Sequence, residues 1–406
     1  MHRKNIVPYL VSLTIALTII GITVGNYYLA NNLQIRDEFA PRWLSARLWI
    51  QDGTLPYDDD IVIATNNMLT DRGYSNESLD GLRFTEPAYN LILYLMFGLL
   101  EYDIAHAIWL TLIEVAVGAS VYFSIKISGW KLHQSEFIIL LLLGLLWYPG
   151  VKNILVSSSQ ILFVFMMILA IYLILNEQGT AAGFLMAFVF GTIEVSILVA
   201  IFMIVWRLSR HDSSVLWSYV AGLGFLFVIS FILFPGWLAE WFRVFLMQFP
   251  QLSWFNTPLM RIASALPGAE LPLNYGLHIG FAFYLLLEWF GAFGKKGRII
   301  AWKAALTLSV AYLFNFQSQS AYLLLLFPAL FMILRFFCER WKIFGRIISW
   351  LILISLALGY WIIFKTRGGW YLVEPSMILL SLPLIVLVGL NWIRWWALQR
   401  PDPILN

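Results

Sequence analysis

The segment VPYLVSLTIALTIIGITVGNYYLA, residues 7–30, decides the fold class of this chain. It carries no charged residue, and at about 1.5 Å per helical residue it is long enough to cross a hydrocarbon core of about 30 Å. Its small residues are too scattered to mark a signal-peptide cleavage site, and His2, Arg3 and Lys4 precede it. It predicts a retained first membrane span whose basic end lies in the cytoplasm.

The rest of the chain has the same apolar character. Hydrophobic residues make up 61% of the 406 residues, charged residues make up 12%, and the mean hydropathy is +0.79. This composition leaves too little polar surface to coat a soluble globule, so we interpret residues 1–406 as a single membrane domain. Cys338 is the only cysteine, which excludes an internal disulfide and any CxxC metal or redox motif.

The longest polar segment, residues 31–86, follows the first span and is therefore predicted to lie outside. It contains ten acidic residues and five arginines but no lysine, as expected of a non-cytoplasmic loop. Within it, residues 41–51 have helix start and stop signals, with Pro41 at the opening turn and Gly53 beyond the end. This stretch is predicted either as a helix in the membrane interface or as an ordinary loop helix packed on the bundle.

The predicted topology has about 12 crossings and one short re-entrant helix. The re-entrant helix is residues 88–100, which span only roughly 20 Å and cannot cross alone. The segment 236–274 is a second outer loop, and both termini are cytoplasmic. The expected location is the cell (plasma) membrane. Beyond the first span, crossings are predicted at 104–126, 137–149, 159–176, 180–193, 195–208, 215–234, 275–292, 299–314, 320–336, 345–364 and 376–395.

Charged residues on this topology separate into two groups. Most basic clusters face the cytoplasm: Lys126/Lys131, Arg207/Arg210, Lys295/Lys296/Arg298, Arg335/Arg340/Lys342/Arg346 and Arg394/Arg400. A minority of cations beyond the first loop lie outside: Lys152, Arg243, Arg261, Lys365 and Arg367. Such cations can bind a phosphate or lipid headgroup, or they can pair with loop acids.

Three acids fall inside predicted spans or at their junctions, namely Glu114, Glu194 and Glu288. A buried unpaired charge is costly, so each is a functional hypothesis, although a protonated or hydrogen-bonded acid inside the bundle is the competing interpretation. The histidines are dispersed without ligand spacing, so no metal site is predicted. No P-loop, GxGxxG or nucleophile-elbow pattern occurs, and no cofactor or nucleic-acid partner is expected.

The first loop reads DEFAPRWLSARLWIQDGTLPYDDD at 37–60, and RFTEPAYNLILYLMFGLL at 83–100 and IAHAIWL at 104–110 follow it. These strings resemble the polyprenol-phosphate-dependent glycosyltransferases of the C superfamily, most closely the family 87 mannosyltransferase-like group. Two departures occur, because Glu194-Val195 stands where the family has Lys-Pro, and Glu86-Pro87 where it has Tyr-Pro or Pro-Pro. The matching features are the acids Asp37/Glu38 with Phe39, then Trp43, Ala46-Arg47, Gly53, Pro56-Tyr57, Phe84 to Pro87, Ser159-Gln160, Ala182-Gly183, Pro235 to Trp237 and Asn256 to Arg261.

The resemblance implies a glycosyltransferase C fold with a large first outer loop. It also implies an inverting transfer of a hexose, with mannose expected, from a polyprenyl-phosphate sugar to a lipid or glycan acceptor at the outer face. Asp37 or Glu38 is then the catalytic base, and spacing does not choose between them, although Asp37 is favoured. The expected donor-phosphate contacts are Lys152, Arg261 and Arg243. The expected sugar or acceptor contacts are Tyr57, Gln160, Glu194 and Asn256.

Two other functions fit the same sequence. A transporter or flippase of lipid-linked sugar would use Glu114, Glu194 and Glu288 to bind ions or substrate, but it predicts an internal symmetry that the chain lacks. A noncatalytic relative would keep the fold without an acid that faces a cation.

Overall fold

The computed structural model describes residues 7–32, 35–79, 81–248, 257–316, 319–367 and 374–395. These residues form helices and connecting turns, with no β-strand among them, so the prediction of an all-α chain is confirmed for the described part. The chain divides into two compact units. The first unit comprises Met1–Val115 and Ile154–Ser159, and the second comprises Ala116–Asn153 and Gln160–Asn406.

The first unit carries one long apolar helix followed by the helices of the polar segment. Its helices are α1 Val7–Asn32, α2 Ala40–Asp52, α3 Asp59–Asp71, α4 Asn76–Leu79, α5 Ala88–Leu91, a 3₁₀ turn Ile92–Tyr94, α6 Leu95–Gly98 and α7 Tyr102–Ser128, which continues into the second unit. The short apolar helix predicted near residue 88 is therefore present, interrupted by the 3₁₀ turn.

Helix α2 corresponds to the helix predicted at 41–51. It has Pro41 in its first turn and ends at Gly53, whose φ of 71° is the left-handed conformation that glycine adopts easily. Its first half is buried inside the first unit, where it packs on α6. The two backbones are so close that a Cβ atom at Gly98 would lie 2.9 Å from the Arg47 amide nitrogen. A helix is therefore present where the sequence predicts one, and its first half packs within the first unit.

The second unit holds the remaining helices. They are α8 Gln134–Leu146, α9 Tyr148–Leu155, α10 Gln160–Leu175, α11 Gly179–Phe188, a 3₁₀ turn Val189–Thr192, α12 Ile193–Leu208, α13 Ser214–Leu233, α14 Trp237–Gln248, α15 Pro258–Ala263, α16 Glu270–Phe290, α17 Arg298–Leu313, a 3₁₀ segment Ser320–Leu326, α18 Phe327–Arg367 and α19 Ser376–Ile393. The last residue pair of α9 belongs to the first unit.

Six helical stretches among the described residues are long and apolar enough to cross a membrane, or seven if the pair α8 and α9, bent by 54°, is one span. Their outer surfaces are strongly apolar, with Leu17 59%, Val228 60% and Ile232 71% exposed. Apolar surface of this extent is unusual on a soluble protein and is typical of helices that face lipid. The six are Ser12–Ala30, Tyr102–Ser128, Gly179–Leu208, Ser214–Leu233, Ser320–Arg367 and Ser376–Ile393.

Two of these six stretches fold back on themselves. Glu177, just before α11, forms ion pairs with Arg207 and Arg210 at the far end of α12, whereas a straight helix of this length would separate them by about 45 Å. The chain therefore reverses at the 3₁₀ turn Val189–Thr192. In α18, the Ser349 hydroxyl donates to the Leu334 carbonyl at 3.2 Å, and the helical conformation is broken at Lys342. Each stretch is thus a pair of antiparallel helices.

Candidate functional site

The acid pair predicted to carry catalysis lies in the first unit, immediately before α2. Asp37 is only 1% exposed. Its Oδ1 atom accepts hydrogen bonds from the backbone N–H groups of Phe39 at 2.8 Å and Ala40 at 3.2 Å. Because these N–H groups belong to the first turn of α2, the carboxylate satisfies donors that a helix start leaves open and complements the helix dipole.

The second oxygen of Asp37 faces α7. Its Oδ2 atom accepts a hydrogen bond from the Tyr102 hydroxyl and lies 3.5 Å from His106 Nδ1. The other ring nitrogen, His106 Nε2, lies 2.7 Å from Ser157 Oγ. Tyr102 and His106 are one helical turn apart on α7, so both side chains point to the same side. Both carboxylate oxygens of Asp37 are therefore occupied by protein donors.

The segment 154–159 is fixed to the same place by its backbone. The Glu38 N–H donates to the Val156 carbonyl at 3.0 Å, and the Trp109 indole donates to the Ser157 carbonyl at 3.1 Å. Ser157 has a φ of 59°, a left-handed conformation that costs a non-glycine residue free energy and that surrounding contacts must hold. Val156 and Ser157 thereby anchor the backbone on which the two acids sit.

Glu38 differs from its neighbour in accessibility. Its side chain is 20% exposed, and its Oε1 atom lies 3.9 Å from Arg36 Nε, a long ion pair at the edge of the unit. Its carbonyl accepts a hydrogen bond from the Arg42 guanidinium. The carboxylate of Glu38 is thus partly open, whereas that of Asp37 is enclosed.

A second cluster in the first unit centres on Glu86. Glu86 Oε1 accepts from Arg42 Nε at 2.7 Å and from Ser159 Oγ at 2.9 Å, and both charged residues are buried. Burial is the largest single effect on the pKa of Arg42 and lowers it, but Glu86, Tyr94 and Glu38 together outweigh burial and raise that pKa above its ordinary value. The Tyr57 hydroxyl donates to the Glu86 carbonyl oxygen at 2.8 Å, and burial raises the pKa of Tyr57. Tyr57, predicted to contact sugar or acceptor, is thus a buried anchor of this cluster.

Two of the predicted phosphate-binding cations meet in the second unit. The Lys152 ammonium is buried and forms an ion pair with Glu374 Oε1, and Arg261 Nη1 donates to the Glu374 carbonyl at 3.0 Å. Ser320 Oγ donates to the same carboxylate at 2.6 Å and accepts from Asn153 Nδ2 at 2.9 Å. Lys152 therefore fits the alternative in which an outside cation pairs with an acid.

The other predicted site residues lie elsewhere in the second unit. Arg243 on α14 pairs with Glu240 one turn away, Nε to Oε2 at 2.9 Å. Gln160 is the first residue of α10 and is half-buried. Glu194 lies in the first turn of α12, just after the chain reversal, where its Oε1 atom is buried without a hydrogen-bond partner among the described residues. Asn256 lies outside the described residues.

The remaining acids predicted within the membrane both have partners. Asn26 Nδ2 donates to Glu114 Oε2 at 3.1 Å within the first unit. In the second unit, Glu288 lies 2.6 Å from Arg394 Nη2 and 3.6 Å from Lys303 Nζ. These contacts agree with the interpretation of hydrogen-bonded or paired acids inside the bundle.

Sequence reasoning missed His106, Tyr102 and Ser157 as neighbours of the acid pair. The spacing of Tyr102, His106 and Trp109 places them on one face of α7. This spacing could have identified that face as a candidate neighbour of the acid pair. The sequence also did not identify Glu374 as the partner of Lys152. Among the described residues, no group of three or more His, Cys, Asp or Glu side chains is arranged to hold a metal ion.

Comparison with known proteins yields no match: no protein-family model fits the sequence, and no curated protein or solved structure is significantly similar to it.

Proposed function

We propose that this chain is a membrane glycosyltransferase that moves a hexose, with mannose expected, from a polyprenyl-phosphate sugar to a lipid or glycan acceptor at the outer face. The observation that supports this proposal most is the arrangement of the acid pair. One carboxylate is enclosed at the start of α2, where it accepts three hydrogen bonds and lies 3.5 Å from a His106 ring nitrogen, and the adjacent carboxylate is partly open. A base that must take a proton from an acceptor needs this combination of fixed backbone and accessible oxygen.

The proposal assigns the base to Glu38 and a positioning role to Asp37. Glu38 accepts the proton of an acceptor hydroxyl while that oxygen attacks the anomeric carbon. The bond between this carbon and the phosphate oxygen breaks on the opposite face, which inverts the configuration and leaves polyprenyl phosphate. Asp37 holds the backbone of α2 so that Glu38 keeps one orientation. This assignment departs from the preference for Asp37 that the sequence suggested, because both oxygens of Asp37 are already occupied.

Donor binding is assigned separately to the Lys152, Glu374 and Arg261 cluster of the second unit. A leaving phosphate mainly needs positive charge, and Arg is suited to bidentate phosphate contacts. Because Lys152 is already paired with Glu374, Arg261 is the stronger candidate of the two. Arg261→Gln is expected to raise the KM for the donor more than it lowers kcat.

The finer topology stays part of the proposal. We propose twelve crossings with the segment 31–86 outside and both termini in the cytoplasm; the chain reversals inside Gly179–Leu208 and Ser320–Arg367 support only the boundaries between 180–193 and 195–208 and between 320–336 and 345–364. Scanning cysteine accessibility from both sides of a sealed vesicle, starting with Ser75→Cys in a Cys338→Ser background, tests this topology. Labelling of Ser75→Cys from the cytoplasmic side would contradict it.

The transporter alternative is weakened by the pairing of two of its three candidate acids. Glu114 accepts from Asn26, and Glu288 is held by two cations, so neither is positioned as an open ion ligand. The noncatalytic alternative is an outcome of the enzymatic test.

Sugar transfer by the purified protein, from polyprenyl-phosphate mannose to a membrane lipid extract, tests the assignment of the base. Loss of a general base typically lowers the rate by roughly 10² to 10⁴-fold, so Glu38→Gln is expected to fall in this range. Asp52→Asn is the matched control, since Asp52 is an exposed acid at the other end of α2. Full activity in Glu38→Gln, or equal loss in the control, would contradict the assignment.

A further inference from the structure

The second unit contains an open cavity of about 530 Å³ that none of the proposed catalytic roles uses. It is surrounded by the last turns of α7, α10, α12 and α19, the start of α17, and the part of α18 that precedes Lys342. Basic clusters that lie far apart in the sequence therefore meet around one opening. Six cations line it: Lys126, Lys131, Arg210, Lys296, Arg298 and Arg335.

Only two acids line the same cavity, and each is already engaged by an arginine. Glu339 Oε1 lies 2.6 Å from Arg335 Nε, and Glu177 Oε1 lies 2.8 Å from Arg210 Nη1. The excess charge of the cavity is therefore positive.

Three lysines supply most of this excess charge. Lys126, Lys131 and Lys296 are exposed and take part in no ion pair within the described ranges. The Lys126 ammonium lies 5.3 Å from the centroid of the Tyr122 ring, a contact that leaves its charge uncompensated by an acid. A concave surface with several cations of this kind attracts a phosphate group more strongly than isolated surface lysines do.

The lining of the cavity also includes a set of apolar and aromatic side chains, which we call the aromatic wall. It is formed by Tyr172, Leu175, Trp206, Trp302, Met332 and Phe336. A soluble phosphate would leave this wall in contact with water, whereas an amphiphile would cover it and gain the free energy of apolar burial. The lysines and the aromatic wall together match a molecule with an anionic head and an apolar body.

We propose that this cavity binds an anionic phospholipid. The phosphate of the lipid contacts Lys126, Lys131 and Lys296, and the beginning of its acyl chains lies against the aromatic wall. This site is independent of the proposed sugar transfer, and it belongs to the face that the charge distribution predicts to be cytoplasmic, where anionic lipids attract basic side chains.

Native mass spectrometry of the full-length protein, titrated with phosphatidylglycerol, phosphatidylcholine of the same acyl chains, or inorganic phosphate, tests this proposal. The test variant is Lys126→Gln/Lys131→Gln/Lys296→Gln. The control is Lys295→Gln/Lys342→Gln/Lys365→Gln, which removes the same charge from exposed lysines that do not line the cavity. Each cavity lysine is expected to contribute about fivefold, so the test variant should bind phosphatidylglycerol about 100-fold more weakly.

The control variant is expected to bind phosphatidylglycerol as the wild type does, and phosphatidylcholine should bind more weakly than phosphatidylglycerol to both. An equal loss in the two variants would show that only the general positive field matters, and unchanged binding in the test variant would show that the lysines do not contact the lipid. Either result would overturn the proposal. Displacement of phosphatidylglycerol by inorganic phosphate at comparable concentration would identify a soluble anion as the occupant and would overturn the lipid assignment.

Discussion

Removal of Arg42 should strongly destabilise the first unit, because it would leave the buried carboxylate of Glu86 without its cation. The two groups are 2.7 Å apart, and their side chains are only 5% and 7% exposed. Breaking a buried ion pair by removing one partner costs about 3–5 kcal/mol, whereas replacing both partners by apolar residues of similar volume is often neutral. We therefore expect Arg42→Met to lower the free energy of unfolding by about this amount and Arg42→Met/Glu86→Leu to recover most of it.

Unfolding in one fixed mild detergent, followed by tryptophan fluorescence, measures this effect. The matched control is Arg83→Met, because Arg83 and Asp59 form an ion pair at 3.2 Å with side chains 24% and 60% exposed. Such an exposed pair contributes about 0–1 kcal/mol. If Arg42→Met were no more destabilising than Arg83→Met, Arg42 and Glu86 would not behave as a buried ion pair.

Three further predictions follow from single contacts. Gly183→Leu should prevent accumulation of folded protein, because a Cβ atom there would lie 2.5 Å from a carbonyl oxygen of α13. Gly224→Leu is the control and should be tolerated, because a Cβ atom there would meet no other atom within 4 Å. Size-exclusion profiles of the two variants measure the difference. Asp37→Asn should lower the thermal midpoint, because an amide cannot accept from all the donors that the carboxylate accepts, and an unchanged midpoint would refute its positioning role. Hydrogen bonding by Arg210 lowers the pKa of Glu177 in the folded protein. The ionised Glu177 therefore contributes its full stabilisation above the unfolded pKa of about 4.5, and this stabilisation is lost as the pH falls through the folded pKa. Glu177→Gln should therefore lose less stability than the wild type between pH 6 and 3 in a thermal melt.

The features that the sequence predicts well are local. Long apolar stretches predicted the helices, and a proline and a glycine predicted the two ends of α2. The charged residues around Lys342 separated two predicted crossings, which agrees with the chain reversal in α18. These signals depend on residues a few positions apart, so they are visible without the fold.

The contacts of the candidate site were not predictable in the same way. Arg42 and Glu86 are 44 positions apart, and Lys152 and Glu374 are 222 positions apart, so their pairing depends on tertiary packing. From charge alone, the predicted outside cations are available to bind a phosphate. A buried cation, however, favours pairing with an acid, because an unpaired buried charge is costly. For the same reason the enclosed state of Asp37, on which the proposed choice between the two acids rests, becomes visible only in the folded chain.

The most direct test of the central claim is hexose transfer by the purified wild-type protein. The reaction supplies polyprenyl-phosphate mannose labelled in the sugar, with a membrane lipid extract as acceptor, and the product is analysed for its anomeric configuration. If the chain is this transferase, we expect a labelled product, inverted relative to the donor, that requires the protein and is lost in Glu38→Gln but not in Asp52→Asn. Absence of product with mannose and with several other donor sugars would contradict the proposed sugar transfer and would favour the noncatalytic alternative.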